Sequence, residues 1–266
     1  MLKNIKKKYK SSSFKKSFAA IKTNPLLLFY VILLDAGFFA VFYLLNIVLN
    51  NFLPDNAQIA TTLSSQSMFF IVMLLISILY FVVIIIAYSF FNLIILGNIR
   101  KMSHNYSHDF SLFKNMFFLN LLLFIVFFIL LSIFNYLTIL IVNKSLWLAA
   151  IVFLLVLVLV IFSYAFHNFS HSAFILGHTL KTTLTHALKN TLSKAYLGVI
   201  TFSIVFMIIY FGLYVILGLL IDNFIIQNYN IFINTASIIT LIVAYVLFTF
   251  NRIYFFFIAE KRIGKV

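Results

Sequence analysis

Residues 68–96 read MFFIVMLLISILYFVVIIIAYSFFNLIIL, a run of 29 positions without a charged side chain. A helix crosses the roughly 30 Å hydrocarbon core of a bilayer with about 20 apolar residues, so this run is long enough to span a membrane. It is continuously apolar and far longer than the roughly 10 residues of a barrel strand, which favours a helix. The stretch therefore predicts a transmembrane helix, and other long stretches of the chain are similarly apolar.

The composition of the whole chain points the same way. Of its 266 residues, 64% are hydrophobic and 9% are charged, and the mean hydropathy is +1.15. Soluble domains average about 45–50% apolar and about 25% charged residues, so the composition excludes a soluble globular domain and a disordered chain. The chain has no Cys, which excludes a disulfide framework, thiol catalysis and any Cys-containing metal site.

Six stretches of the chain are long and apolar enough to be predicted as membrane-spanning helices. These approximate spans are 26–49, 68–96, 116–142, 146–176, 196–221 and 231–258. We expect one transmembrane domain over residues 26–259, between a basic N-terminal segment at 1–25 and a basic tail at 260–266. The predicted fold class is an all-α integral membrane protein, with six transmembrane helices arranged as three helical hairpins.

Lys and Arg residues give the expected orientation of these spans. The termini and every second connection carry 18 of them, whereas the connections 50–67, 143–145 and 222–230 carry one. Basic residues stay on the cytoplasmic side, so both termini are predicted to be cytoplasmic, in the cell membrane. The formal net charge is +14, and the basic residues that produce it flank the spans and form no separate domain. This arrangement favours anionic lipid headgroups over nucleic acid as the partner. Partner proteins are not indicated.

Short amphipathic helices are predicted on the cytoplasmic face. In residues 11–22, Phe14, Phe18 and Ile21 recur with helical spacing while lysines occupy other faces, which is typical of a helix lying on a membrane. Similar short Lys-bearing segments precede the third and fifth spans.

The chain also shows a threefold internal similarity. Residues 95–101 (ILGNIRK) resemble residues 175–181 (ILGHTLK), and residues 257–262 (FIAEKR) resemble both more loosely. The pattern predicts a pseudo-threefold repeat of interfacial helix, span, outside loop and span. The alternative is that these segments are alike only because any helical hairpin has basic ends on one side of the membrane.

The opening stretches 14–18 (FKKSF) and 24–26 (NPL), with the Lys-bearing helices before the third and fifth spans, carry a resemblance to known proteins. On these residues the chain resembles a loose group of six-span membrane proteins of mostly unknown function. The group includes the membrane domain attached to some glycerophosphodiester phosphodiesterases. The resemblance implies the six-span fold, and it carries over no activity because a chain of this length has no room for the soluble catalytic domain.

Polar residues at one depth of the spans form the candidate binding site, which we call the polar belt. Its candidate residues are Asp35, Asn92, His167, Asn168, His171 and Arg252, with Ser89, Ser170, Thr249 and Asn251 at matching heights. A charged residue inside a bilayer costs about 2.5–3.5 kcal/mol on insertion scales, so each should have a partner. We expect Asp35 to pair with Arg252, or second with His167. The belt is interpreted either as a proton or ion site, or as a buried contact that fixes helix register.

Histidines supply most of the candidate metal ligands. His104 and His108 are four residues apart, with Asp109 as an added oxygen, and His167, His171 and His178 fall on one stripe of a helical wheel. The candidates for metal binding are thus His104, His108, His171 and His178. The chain lacks the H-E-x-x-H pattern of metalloproteases, so we expect no metal and no cofactor.

Catalysis finds little support in the sequence. Five acidic residues offer no paired carboxylates, and no G-x-S-x-G, P-loop or G-x-G-x-x-G motif occurs. The predicted function is that of a non-enzymatic, lipid-interacting or scaffold protein of the membrane. The alternatives are a transporter of a small solute, ion or amphipath that uses the polar belt, and an enzyme acting on lipid headgroups with the histidines.

Overall fold

A computed structural model describes residues 12–52, 66–104, 106–142, 146–193, 196–220 and 229–263. In these ranges the regular structure is helical, in agreement with the predicted all-α class. In chain order the elements are α1 (Ser13–Thr23), α2 (Pro25–Phe52), α3 (Gln66–Lys101), a 3-10 turn (Phe110–Leu112), α4 (Phe113–Val142), α5 (Leu146–Ile175), α6 (Leu180–Thr191), α7 (Leu197–Leu220) and α8 (Tyr229–Ile263).

Five of these helices are long and apolar enough to cross a membrane. The candidate spans are Pro25–Leu49, Met68–Lys101, Phe110–Ile139, Ala150–Ile175 and Ser237–Ile263. In α7, the apolar stretch Ser203–Gly212 is shorter than a span among the described residues. The chain is therefore a multi-pass membrane protein, and the sixth crossing and the arrangement in three hairpins stay predictions.

The helices form two compact units. The middle unit comprises Asn24–Leu159, and the terminal unit combines Met1–Thr23 with Val160–Val266. Helix α5 contributes its first half to the middle unit and its second half to the terminal unit. The prediction of one transmembrane domain over 26–259 is not tested by this division.

In the middle unit, α3 packs against α2 on one side and α4 on another. The Asn24 side-chain amide, just before α2, donates to the Met102 carbonyl oxygen just after α3 at 3.4 Å. The core of the middle unit lies at this end, where Ile95, Leu96 and Ile99 of α3 and Met116 of α4 are buried. The helices of the middle unit are thus held together at their basic end.

In the terminal unit, α1 packs along the second half of α8. Small side chains of α1 are buried, and the Ser13 hydroxyl donates to the Phe257 carbonyl oxygen at 3.4 Å. The Phe14 ring contacts Phe250 and Tyr254 edge-on, at centroid distances of 5.5 and 6.0 Å. The apolar face that the sequence assigned to the membrane surface therefore also contacts aromatic rings of the protein.

The burial of side chains changes along the length of the helices. Near the basic ends, the stretch from Phe250 to Ala259 of α8 is buried throughout. Further along the spans, Leu79, Phe128 and Leu241 keep about two thirds of their side-chain surface exposed. Exposed apolar surface of this extent is unfavourable in water, and it is compatible with lipid as the surrounding solvent.

The aligned segments of the threefold similarity do not share one local structure. Gly177 has φ +105° and ends α5, where the His178 N–H donates to the Ala173 carbonyl oxygen as in a Schellman cap. Gly97 lies inside α3, which continues to Lys101, and Ala259 lies inside α8. A Cβ at position 97 would lie 2.7 Å from Cε1 of His108, so that glycine allows a close contact and does not end a helix.

Candidate functional site

Four of the six candidate belt residues lie in the terminal unit. His167 and His171 stand one turn apart on α5, and their rings meet at a centroid distance of 4.1 Å and an angle of 71°. Asn168 follows His167 in the chain and is buried. Its amide donates to the Tyr164 carbonyl oxygen at 2.9 Å. Arg252 of α8 is 8% exposed and lies close enough to both imidazoles to act on them electrostatically. The structure thus brings His167, His171 and Arg252 together.

Further side chains extend this group, which we call the imidazole cluster. The Arg252 guanidinium lies 5.0 Å from the centroid of the Phe248 ring, a cation–π arrangement. The Ser203 hydroxyl of α7 donates to Asn251 Oδ1 of α8 at 3.0 Å. The Tyr164 hydroxyl lies near the Asn168 and Asn251 side chains. Tyr164 and Ser203 were not predicted as site residues, because uncharged hydroxyls recur through all the spans and carry no positional signal.

The other two candidate residues, Asp35 and Asn92, lie in the middle unit and are buried, with 6% and 1% of their surface exposed. Near Asn92, the Asn120 amide of α4 donates to the Ser89 hydroxyl of α3 at 2.9 Å. The Ser89 hydroxyl in turn donates to the Ile85 carbonyl oxygen at 2.6 Å. Asn120 is a further polar residue that the sequence reasoning missed, since nothing distinguished it among the apolar residues of 116–142.

The predicted pairing of Asp35 joins residues of different units. Asp35 belongs to the middle unit, whereas its first and second predicted partners, Arg252 and His167, belong to the terminal unit. The pairing therefore stays a prediction.

The helical spacing assumed for His104 and His108 is wrong. Helix α3 ends at Lys101, so these histidines lie beyond it in a turn and an irregular segment, where i, i+4 chelation does not apply. His108 Nε2 instead lies 3.2 Å from Asn98 Oδ1. Burial, together with the Lys101 charge, lowers the pKa of His108. The Asp109 carboxylate accepts from the Ser111 N–H at 2.9 Å and caps the 3-10 turn. Hydrogen bonds from the Ser111 side chain and then from its N–H lower the pKa of Asp109.

The predicted stripe of three histidines is also wrong at its last member. Because α5 ends at Ile175 and Gly177 reverses the chain, His178 does not continue the face of His167 and His171. Its ring lies beside that of His186 of α6, at a centroid distance of 5.0 Å. Burial, together with His186, lowers the pKa of His178. In the described ranges, no three His, Asp or Glu side chains gather as a metal site would require.

A cavity of about 340 Å³ opens at the basic end of the terminal unit. It is lined by Ser13 of α1 and by Tyr254, Ile258, Lys261 and Arg262 of α8. Arg262 is tied to α6, since its Nη1 donates to Asn190 Oδ1 at 3.4 Å. The sequence reasoning counted the two cations in the basic face. It missed the cavity, although Tyr254, Ile258 and Arg262 recur at i, i+4 and i+8.

The polar groups of the terminal unit at this level differ in how they are bonded. The Ser203 hydroxyl bonds to Asn251, and Asn168 and Ser172 bond to backbone carbonyl oxygens, whereas the buried hydroxyls of Ser170 and Thr249 have no hydrogen-bond partner among the described residues. Comparison with family models, curated proteins and solved structures returns no match. The resemblance to the phosphodiesterase membrane domains therefore stays an expectation, and what the described helices establish is a multi-pass membrane protein.

Proposed function

We propose that this chain is a non-enzymatic membrane protein of six spans, with both termini in the cytoplasm and its basic face on anionic lipid. Its role is that of a lipid-interacting scaffold or subunit in the cell membrane. The polar belt fixes the packing of the helices and does not conduct a solute. The observation that carries this proposal is that hydrogen bonds between amide and hydroxyl side chains join α3 to α4 and α7 to α8.

Several of those groups form direct bonds within their own unit, whereas the buried hydroxyls of Ser170 and Thr249 have no hydrogen-bond partner among the described residues. The Ser89–Asn120 bond joins α3 to α4, and the Ser203–Asn251 bond joins α7 to α8. Ser172 and Asn168 donate to carbonyl oxygens one turn earlier in α5. The two bonds between helices hold α3 against α4 and α7 against α8 without needing water, and the bonds within α5 satisfy side chains of that helix alone.

An even number of crossings is supported by the terminal unit alone. Helix α1, near the start of the chain, packs on the second half of α8, near its end. This packing supports a common face of the membrane for α1 and the end of α8, and a common face requires an even number of crossings between them. Five candidate spans are long enough by themselves, and α7, with 24 residues, would reach about 36 Å at 1.5 Å per residue. A crossing by α7 makes six.

The charge of the basic end supports contact with anionic lipid. In the terminal unit, α1, α6 and the last turn of α8 together carry seven Lys and Arg residues, and the one acid of these segments is Glu260. A basic residue close to an anionic membrane surface contributes about 1 kcal/mol of attraction. The combined charge is sufficient to hold this face on such a surface.

Water access to the belt tests the proposal. The chain has no Cys, so single-cysteine variants report one position each. We expect Ser89→Cys, Ser170→Cys and Thr249→Cys to react much more slowly with a hydrophilic maleimide in proteoliposomes than the matched control Lys189→Cys, because maleimide needs a hydrated thiolate. Lys189 is exposed on α6. Labelling of the belt positions at the rate of the control would contradict the proposal.

A second candidate, a carrier that uses the belt, is favoured by one observation. Two imidazoles and a guanidinium at one depth are costly in a bilayer, and such groups often mark ion pathways. For a carrier, Ser170→Cys beside the imidazole cluster would label quickly, and proton leak into proteoliposomes would fall in His171→Ala. We expect neither result.

A further inference from the structure

The cavity at the basic end of the terminal unit combines two cations with two hydroxyl groups. Lys261 and Arg262 supply the charge, and Tyr254 supplies a hydroxyl that can donate, while the Ser13 hydroxyl already donates to the Phe257 carbonyl oxygen. Its volume of about 340 Å³ falls in the range of about 300–1,000 Å³ that small-molecule pockets have. We infer that this cavity binds a phosphate group, an inference that rests on the proposed role of the basic face in holding anionic lipid.

The donors suit a phosphate group. A guanidinium presents five N–H donors in a planar fork, so Arg262 can keep its bond to Asn190 and still donate to an anion. Lys261 adds a compact positive charge on a flexible stem. Ser13 is the first residue of α1, whose first N–H groups carry a partial positive charge that also favours an anion.

The order of the lining residues along α8 fits a lipid headgroup. Tyr254, Ile258 and Arg262 follow at i, i+4 and i+8, so they line one face of the helix over about 12 Å. Along this face the character changes from aromatic, through aliphatic, to cationic toward the end of the candidate span. A phosphate beside Lys261 and Arg262 would leave the glycerol and the first acyl carbons beside Ile258 and Tyr254.

Competing charge at this position is small. Glu260 is the one acid in the last two turns of α8, and α1 brings Lys15, Lys16 and Lys22 to the same unit. Basic residues therefore outnumber acidic ones in α1 and in the last two turns of α8.

The test uses the full chain, purified in a neutral detergent, and three probes. Dioctanoyl phosphatidic acid, dioctanoyl phosphatidylcholine and inorganic phosphate are titrated by calorimetry. We expect the phosphatidic acid to bind more tightly than the phosphatidylcholine. In Lys261→Gln/Arg262→Gln this binding should weaken by about tenfold or more, the effect of losing one charge-assisted hydrogen bond. The matched control Lys181→Gln/Lys189→Gln removes the same charge outside the cavity and should change the affinity by less than about twofold.

Two further variants keep the test decisive if the double variant does not fold. Lys261→Gln alone leaves the Arg262–Asn190 bond in place, and Tyr254→Phe removes only a hydroxyl while its ring keeps the contact with Phe250. Each should weaken binding of the phosphatidic acid, and neither should change binding of the phosphatidylcholine.

The outcomes separate the possible sources of the phosphate. Tight binding of phosphatidic acid without competition by inorganic phosphate assigns the site to a lipid headgroup. Equal competition by inorganic phosphate, lost in the same variants, assigns it to a free phosphate ion. Equal weakening in the cavity and control variants, or no preference over phosphatidylcholine, would overturn the inference. Neither result bears on water access to the polar belt, so the proposed function fails or stands separately.

Discussion

The two units bury different kinds of polar side chain within the membrane-spanning helices. In the middle unit, the neutral pair Ser89 and Asn120 lies between α3 and α4, and among the residues described for this unit the buried ionisable side chain is that of Asp35. In the terminal unit, the layer contains Arg252 with two imidazoles, and hydroxyls and amides surround it. A neutral pair is inexpensive to bury, whereas a guanidinium requires compensation. The difference places the acid in one unit and the cation in the other.

The largest expected effect tests whether these two charges belong together. The predicted pairing of Asp35 with Arg252 implies that removal of either partner leaves an uncompensated charge. On that prediction, Arg252→Gln should lower the free energy of unfolding by about 3–5 kcal/mol, and Asp35→Asn should do the same. The double variant should recover most of the loss, since it leaves neither charge. Unfolding by a denaturing detergent measures all four proteins. Additive losses in the double variant would show that the two units compensate their charges independently.

The next effect concerns the close packing of the middle unit. Gly97→Leu places a side chain where His108 now lies, because even a Cβ there would be 2.7 Å from Cε1 of that ring. Overpacking of this kind costs about 1–3 kcal/mol. The matched control is Gly212→Leu in α7, where a Cβ would meet nothing within 4 Å. Equal losses of stability in both variants would mean that the Gly97–His108 contact is not tight.

A smaller effect compares the neutral bonds of the two units directly. Asn120→Leu removes the bond to Ser89, and Ser203→Ala removes the bond to Asn251. Interhelical hydrogen bonds in membranes average about 0.6 kcal/mol, with a maximum near 1.7. We expect the loss at Asn120 to be the smaller one, since a leucine can fill its apolar surroundings. Ser203→Ala leaves Asn251 beside Arg252 without that donor, and equal losses would contradict this difference.

The smallest effect is a dependence of stability on pH at the basic ends. The pKa of His108 in the middle unit and of His178 in the terminal unit is lowered in the folded state, by burial first and then by Lys101 and His186 respectively. Protonation is therefore easier in the unfolded chain, and stability present above about pH 6.5 is lost as the pH falls below it. Thermal unfolding between pH 7.5 and 5.5 should show this loss, reduced in His108→Gln and in His178→Gln. An unchanged slope in both variants would assign the loss to other groups.

The sequence predicts the helical, membrane-spanning character of the chain for a simple reason. A continuous apolar run such as 68–96 has no other stable structure in lipid, so α3 could be derived from its length alone. The sequence predicted that His167, His171 and Arg252 share the polar belt, because ionisable groups are rare in a span. It did not predict that two imidazoles would lie beside Arg252, since neither can carry a charge opposite to that of the guanidinium.

Other features depend on contacts that no local pattern records. Helix α3 continues through Gly97, against which His108 packs, and ends at Lys101, so His104 and His108 do not share a helix. Asn120 and Ser203 matter because of the residue that each meets on another helix. The cavity beside Arg262 requires α1 to pack on α8, and these elements lie at opposite ends of the chain.

The sidedness of α7 tests the central claim most directly, because the sixth crossing decides whether all the basic ends share one face. Ser193→Cys precedes α7, and Asp222→Cys follows it. In sealed vesicles of one orientation, a membrane-impermeant maleimide should label only one of the two positions, and disruption of the vesicles should expose the other. Labelling of both positions from the same side would mean that α7 does not cross, and it would contradict the six-span account.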